Sequence, residues 1–141
     1  MRVLLVDDDA TVRTVMQRIL SRQFSFDIDL CKDGPEALER LSREDYSLVL
    51  LDVTMPMMDG MDVLQSIRLN PETHHVPVIM ITGLSDQRLV KQALREGISD
   101  FILKPVRPAE LCERVARVLE KTADHSEDGW RLPAAVAATA S

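Results

Sequence analysis

The sequence has only two cysteines, Cys31 and Cys112, at no metal-like or redox-motif spacing. That excludes a disulfide scaffold and leaves both as small apolar residues. Positive charge is also short: 17 Lys and Arg against 23 Asp and Glu give a net charge of −6 and a pI near 5.0. A nucleic-acid footprint needs a basic face, and an anionic membrane attracts one, so the expected partners are proteins or small cations. Long apolar runs are missing too. The opening "MRVLLVDDD" is too short for a signal peptide and no segment is long enough to cross a bilayer, so the expected location is the cytoplasm. No internal repeat is evident. The length of 141 residues, 45% of them apolar, matches one globular domain with a core of its own.

What is present is an alternation. Short apolar runs, "VLLV" at 3–6, "FDIDLC" at 26–31, "LVLL" at 48–51, "PVIMI" at 77–81 and "FIL" at 101–103, are separated by segments with one apolar helical face. Those faces carry Val12, Val15 and Ile19; Ala37, Leu38 and Leu41; Met61, Leu64 and Ile67; Leu89, Ala93 and Leu94; and Leu111, Val115, Val118 and Leu119. Five βα units imply an α/β fold, a single doubly wound domain with a parallel sheet covered by helices on both faces. "FDIDLC" alternates apolar and polar and suits an edge strand. Asp33, Gly34 and Pro35 suit a helix start, Gly97 a helix stop, and Pro105 and Pro108 a break between the last strand and last helix. After Lys121 the periodicity fades into an Ala, Ser and Thr-rich tail, so residues 1–121 are expected to form the domain and 122–141 a linker or partly disordered end.

In an open parallel sheet, chemistry collects at the carboxyl ends of the strands. There the first strand runs into Asp7 and Asp8, the third into Asp52, the fourth into Thr82 and the fifth into Lys104. Like charges about 4 Å apart repel by several kcal/mol at an effective dielectric near 20, so three acids on one edge need a use. A hard divalent cation supplies one, because Mg²⁺ takes oxygen ligands and one or two carboxylates while keeping several waters. Without metal the acids should strain the fold, and removing Asp8 is expected to relieve that strain. Asp9 is better explained as a helix cap. His74, His75 and Glu72 fit an exposed loop, and Met55, Met57, Met58 and Met61 fit turn and core packing rather than a soft-metal site.

Taken together, "VDDD" at 6–9, "LLDVTMPMMDG" at 50–60, "ITG" at 81–83 and "LKP" at 103–105 resemble the receiver domain of two-component response regulators. The resemblance spans residues 1 to about 121 and implies a flavodoxin-like, chemotaxis-regulator-like (βα)₅ fold with strand order 2-1-3-4-5. It implies that Asp52 accepts a phosphoryl group from a histidine kinase or phosphotransfer protein. Asp8, Asp52 and the Thr54 backbone carbonyl would ligate Mg²⁺, or Mn²⁺ in its place, with Asp7 acting mostly through water. Lys104 would pair with the acids and then the phosphoryl group, Thr82 would hydrogen-bond a phosphoryl oxygen, and Phe101 would be the aromatic switch. Such a domain catalyses only its own phosphorylation and dephosphorylation. Thr54 and Leu84 stand where other members of the family place groups that orient water, which implies moderate to slow hydrolysis.

Two other readings compete. Haloacid-dehalogenase-type phosphatases also use a strand-end Asp, a Thr or Ser, a Lys and Mg²⁺, but their second acid falls where this chain has Thr54. A phosphorylation-independent interaction module would be expected to have lost some of the acids, the hydroxyl or the lysine, and none is lost. As no output domain follows Lys121, the chain is expected to be a single-domain regulator or a receiver cut from a longer protein. Its output would then run through a downstream protein, a missing C-terminal domain or a phosphorylation-dependent homodimer.

Overall fold

Val3, Leu4, Leu5 and Val6 are all buried, as are Leu48 to Leu51 and Val78 to Ile81, which requires cover on both faces of each strand. A computed structural model, which describes residues 1–55, 57–83 and 87–124, supplies that cover. The elements follow in strict alternation: β1 (Arg2–Val6), α1 (Ala10–Gln23), β2 (Asp27–Cys31), α2 (Gly34–Arg43), β3 (Leu48–Asp52), α3 (Gly60–Leu69), β4 (Val78–Thr82), α4 (Gln87–Glu96), β5 (Asp100–Leu103) and α5 (Pro108–Asp124). All strand pairs are parallel and the order is β2-β1-β3-β4-β5, the doubly wound order expected. β2 is an edge strand, as its alternating sequence suggested. Trp130 and the rest of the tail beyond Asp124 lie outside the described residues, as do Pro56 and Leu84.

Side-chain alternation along the strands divides the interior in two. Leu4, Val6, Val49, Leu51, Val78 and Met80 point to a core under α2, α3 and α4, which Phe101 joins from β5. Val3, Leu5, Leu48, Leu50, Ile79, Ile81 and Ile102 point to a second core under α1 and α5. Cys31 and Cys112 are buried, one in each core, where burial pushes the Cys31 thiol up to about 12.

The caps follow the sequence signals. Asp9 accepts from the Thr11 and Val12 amides at the start of α1, and Asp33 accepts from the Glu36 amide at the start of α2. Gly97 ends α4 with φ of +93°, a left-handed conformation that glycine adopts without steric cost. The methionines divide between core and turn: Met55 and Met61 are buried and Met58 packs on the core, while Met57 is 84% exposed at a bend with φ of +71°.

Arg2, Asp29 and Tyr46 tie the β2 edge to the rest of the sheet. The buried Tyr46 hydroxyl donates to Asp29 Oδ2 at 2.7 Å and Arg2 Nη1 donates to the same oxygen at 3.1 Å. The Tyr46 bond, helped by Arg2 and opposed by burial, holds the Asp29 carboxyl below its ordinary value. A depressed carboxylate pKa gives stability that is complete above the unfolded pKa, near 4, and is lost as pH falls through the folded value. Tyr46→Phe should therefore cost about 1–2 kcal/mol at neutral pH, as for a hydrogen bond to a charged acceptor. In thermal melts the gap to wild type should begin to narrow below about pH 4, where Asp29 of the variant, without the Tyr46 bond, protonates before that of wild type; a gap of constant size down to pH 3 would exclude the Asp29 bond as its cause.

Candidate functional site

Register alone brings the acids together. In the β1–β3 ladder Val6 pairs with Leu51, so Asp7 and Asp52 leave the sheet side by side. In the next ladder Asp52 pairs with Ile81, which puts Thr82 one residue beyond on the neighbouring strand. Lys104 follows Leu103, the partner of Thr82, and its amide donates to the Thr82 carbonyl at 2.7 Å. Oxygens of Asp7, Asp8 and Asp52 lie within 4.8 Å of one another, the one such group of potential metal ligands among the described residues. His74, His75 and Glu72 are exposed and form no such group, in line with the loop expected there.

Burial is unequal across this cluster. Asp7 and Asp52 are only 2% and 3% exposed, whereas Asp8 is exposed. Lys104 Nζ stands 3.4 Å from Asp7 Oδ2 and 3.3 Å from Asp52 Oδ1, a single cation shared by two buried anions. Burial first, and then the charge of Asp7, push the Asp52 carboxyl up to about 6, with Lys104 and the Thr54 amide offsetting only part. The group is still mostly ionised at neutral pH and more basic than an ordinary aspartate. Burial is the largest influence on Lys104 and lowers its pKa, but the two carboxylates together outweigh it and raise the net value.

The loops hold the carboxylates at fixed angles. Asp52 Oδ1 accepts from the Thr54 amide at 3.4 Å, and its other oxygen accepts no hydrogen bond among the described residues. Gly60 closes the β3–α3 loop by donating to the Val53 carbonyl at 2.8 Å. A Cβ at Gly60 would lie 2.5 Å from the Asp52 carbonyl and 2.7 Å from Val53 Cα, so only glycine lets α3 start this close to the acceptor loop. At Gly83 a Cβ would meet nothing within 4 Å among the described residues. Phe101 is half-buried against the core under α4.

Three carboxylates with nearby oxygens, one of them solvent-facing, and only one lysine to balance them make a donor set that fits a hard divalent cation. The sequence suggested that the three acids strain the metal-free protein and that removing Asp8 would relieve it. The structure concentrates the repulsion on Asp7 and Asp52, because the exposed Asp8 is screened by water.

Comparison with known proteins agrees with this geometry. Residues 3–116 match the model of the response regulator receiver domain, and the chain belongs to that family. It is 34% identical over 122 residues to the chemotaxis protein CheY-3 of Vibrio cholerae, covering 86% of this chain and 93% of that protein. It is 37% identical over 132 residues to the "probable transcriptional regulator ycf27" of Porphyridium aerugineum, covering 94% of this chain but only 53% of that protein. The crystal structure of a CheY-like receiver domain protein from Methanospirillum hungatei superposes with a TM-score of 0.81 at 27% identity, covering 89% of this chain and 98% of that one.

If the buried pair carries the strain, Asp52→Asn should melt higher than wild type in EDTA, by an amount equivalent to roughly 1–2 kcal/mol, as for relief of a buried like-charge contact. Asp8→Ala should gain less. A melt series in which Asp8→Ala gains more than Asp52→Asn would reverse that assignment.

Proposed function

We propose that the domain is a phosphorylation-activated signalling switch whose Asp52 accepts a phosphoryl group from a histidine kinase or phosphotransfer protein. The observation that carries this reading is the convergence of Asp7, Asp8, Asp52, Thr82 and Lys104 on one sheet edge, with Asp52 buried, ionised and held by one oxygen. Its other oxygen forms the new P–O bond as the P–N bond to the donor imidazole breaks, the electron pair leaving on nitrogen. Lys104 absorbs charge on the phosphoryl oxygens, and the Thr82 hydroxyl donates to one of them. Mg²⁺, or Mn²⁺ in its place, would be held by Asp7, Asp8, Asp52 and the Thr54 carbonyl and would supply further charge neutralisation. No acid stands at position 54 to protonate a leaving group, so phosphatase turnover of the haloacid-dehalogenase kind has no support.

A donor protein must reach this edge. Lys104 also lines an apolar groove of about 240 Å³, formed by Thr11, Val12, Val15, Met16, Ile19, Pro105 and Val106. Its continuity with the acceptor site suits a helix that presents a phosphohistidine. The output face is the one formed by α4, β5 and α5, where Leu94 and Leu103 are exposed. Since the chain spans about half the length of ycf27, its downstream partner or output domain belongs to this proposal as an open class.

Incubation with acetyl phosphate and Mg²⁺ should add one acid-stable, base-labile phosphoryl group, read by intact-mass spectrometry. Unchanged labelling in Asp52→Asn, or full labelling in EDTA, would rule out the acceptor assignment.

The switch follows from differential contact: the phosphoryl group is a partner that Thr82 meets in the phosphorylated state alone, and the new bond draws it from the space beside Phe101 and shifts the population toward a second packing. NMR shift changes on adding beryllofluoride should therefore extend to Lys91, Phe101 and Leu111. Changes confined to the metal site would overturn the switch.

A further inference from the structure

Asp8 is the exposed member of the acid cluster, and its carboxylate accepts no hydrogen bond among the described residues. Its aim must therefore come from the backbone. The peptide planes on its two sides are each held by a hydrogen bond. On the far side, the Asp9 amide donates to Asp7 Oδ1 at 2.9 Å. On the near side, the Asp7 carbonyl accepts from Arg13 Nη1 at 2.6 Å. The first bond is local and arises from the turn itself. The second reaches back from the first turn of α1, six residues on.

Arg13 is out of place on simple electrostatic grounds. It reaches the turn that carries Asp7 and Asp8, yet among the described residues it pairs with no carboxylate and spends its short, charge-assisted bond on a carbonyl. A cation held next to a dication site weakens that site through charge alone. Its retention there is explained if the bond does something that charge does not.

We infer that Arg13 is a positioning residue for the cation site, fixing the Asp7–Asp8 peptide plane so that the Asp8 carboxylate faces Asp7 and Asp52. The inference rests on the receiver reading of the site. With Asp7 N–H also bonded to the Cys31 carbonyl at 3.1 Å, the turn is held from the sheet side, the helix side and within itself. Arg13 is the one of these supports that comes from a side chain outside the acid cluster. Groups that orient a metal ligand through such contacts typically cost 10- to 100-fold in affinity when removed.

The two roles open to Arg13 predict opposite signs. Arg13→Met keeps the apolar stem but removes charge and donor. If Arg13 positions Asp8, Mg²⁺ binding followed by NMR titration should weaken roughly tenfold in this variant, the lower end of that range. The rise in melting temperature given by millimolar Mg²⁺ should shrink with it, while the melt in EDTA changes little. Arg13→Lys, which retains charge and a donor, should recover most of the affinity. Mg²⁺ binding to Arg13→Met as tight as wild type, or tighter, would overturn the inference and leave Arg13 a charge neighbour only. Should Arg13→Met fail to fold, Arg13→Gln is judged by the same signs. Absence of saturable Mg²⁺ binding in wild type would instead count against the receiver reading itself.

Discussion

The domain is organised around two carboxylates that have no business being buried together. Asp7 and Asp52 lie almost fully inside, on adjacent strand ends, with one lysine between them. Burial alone makes each charge expensive, and proximity makes the pair more so. The β1–β3 register leaves no other arrangement, because slipping either strand by one residue would turn its whole apolar set from one core to the other. Thus the packing of two hydrophobic layers enforces an electrostatic conflict, and the loops around it, closed by Gly60 and held by Arg13, exist in the form that keeps the conflict in place.

Much of this was legible in the sequence. Continuous apolar runs such as "LVLL" reported strands buried on both faces, and the charged residues after them marked the edge where the acids gather, because a fully buried strand can change to polar only where it leaves the sheet. The caps at Asp9 and Asp33 and the stop at Gly97 were equally plain, since their side chains or φ values meet fixed steric and hydrogen-bonding needs.

What the sequence hid has a common cause. Arg13 bonds to a backbone carbonyl, and every residue has one, so its partner leaves no trace in residue type. The same holds for Arg68, whose guanidinium donates to the carbonyls of Gly97, His74 and Val76 and so pins the α3–β4 loop and the α4 end together. Nor could the inequality of Asp7 and Asp8 be foreseen: neighbours of the same type differ only in which way the turn faces them. Which methionine takes the turn was hidden as well, because a left-handed φ in a loop is a tertiary outcome, not a local preference of that residue.

The sheet also acts as a wall. Phe101 faces the core shared with α2, α3 and α4, while its neighbour Ile102 faces the other, shared with α1 and α5. A repacking on the Phe101 side therefore has a rigid parallel sheet, with close-packed side chains on both faces, between it and the α1 layer. The way around that wall is α5, which packs against both β5 and α1, so a change at Phe101 would reach the α1 layer along that helix rather than through the sheet.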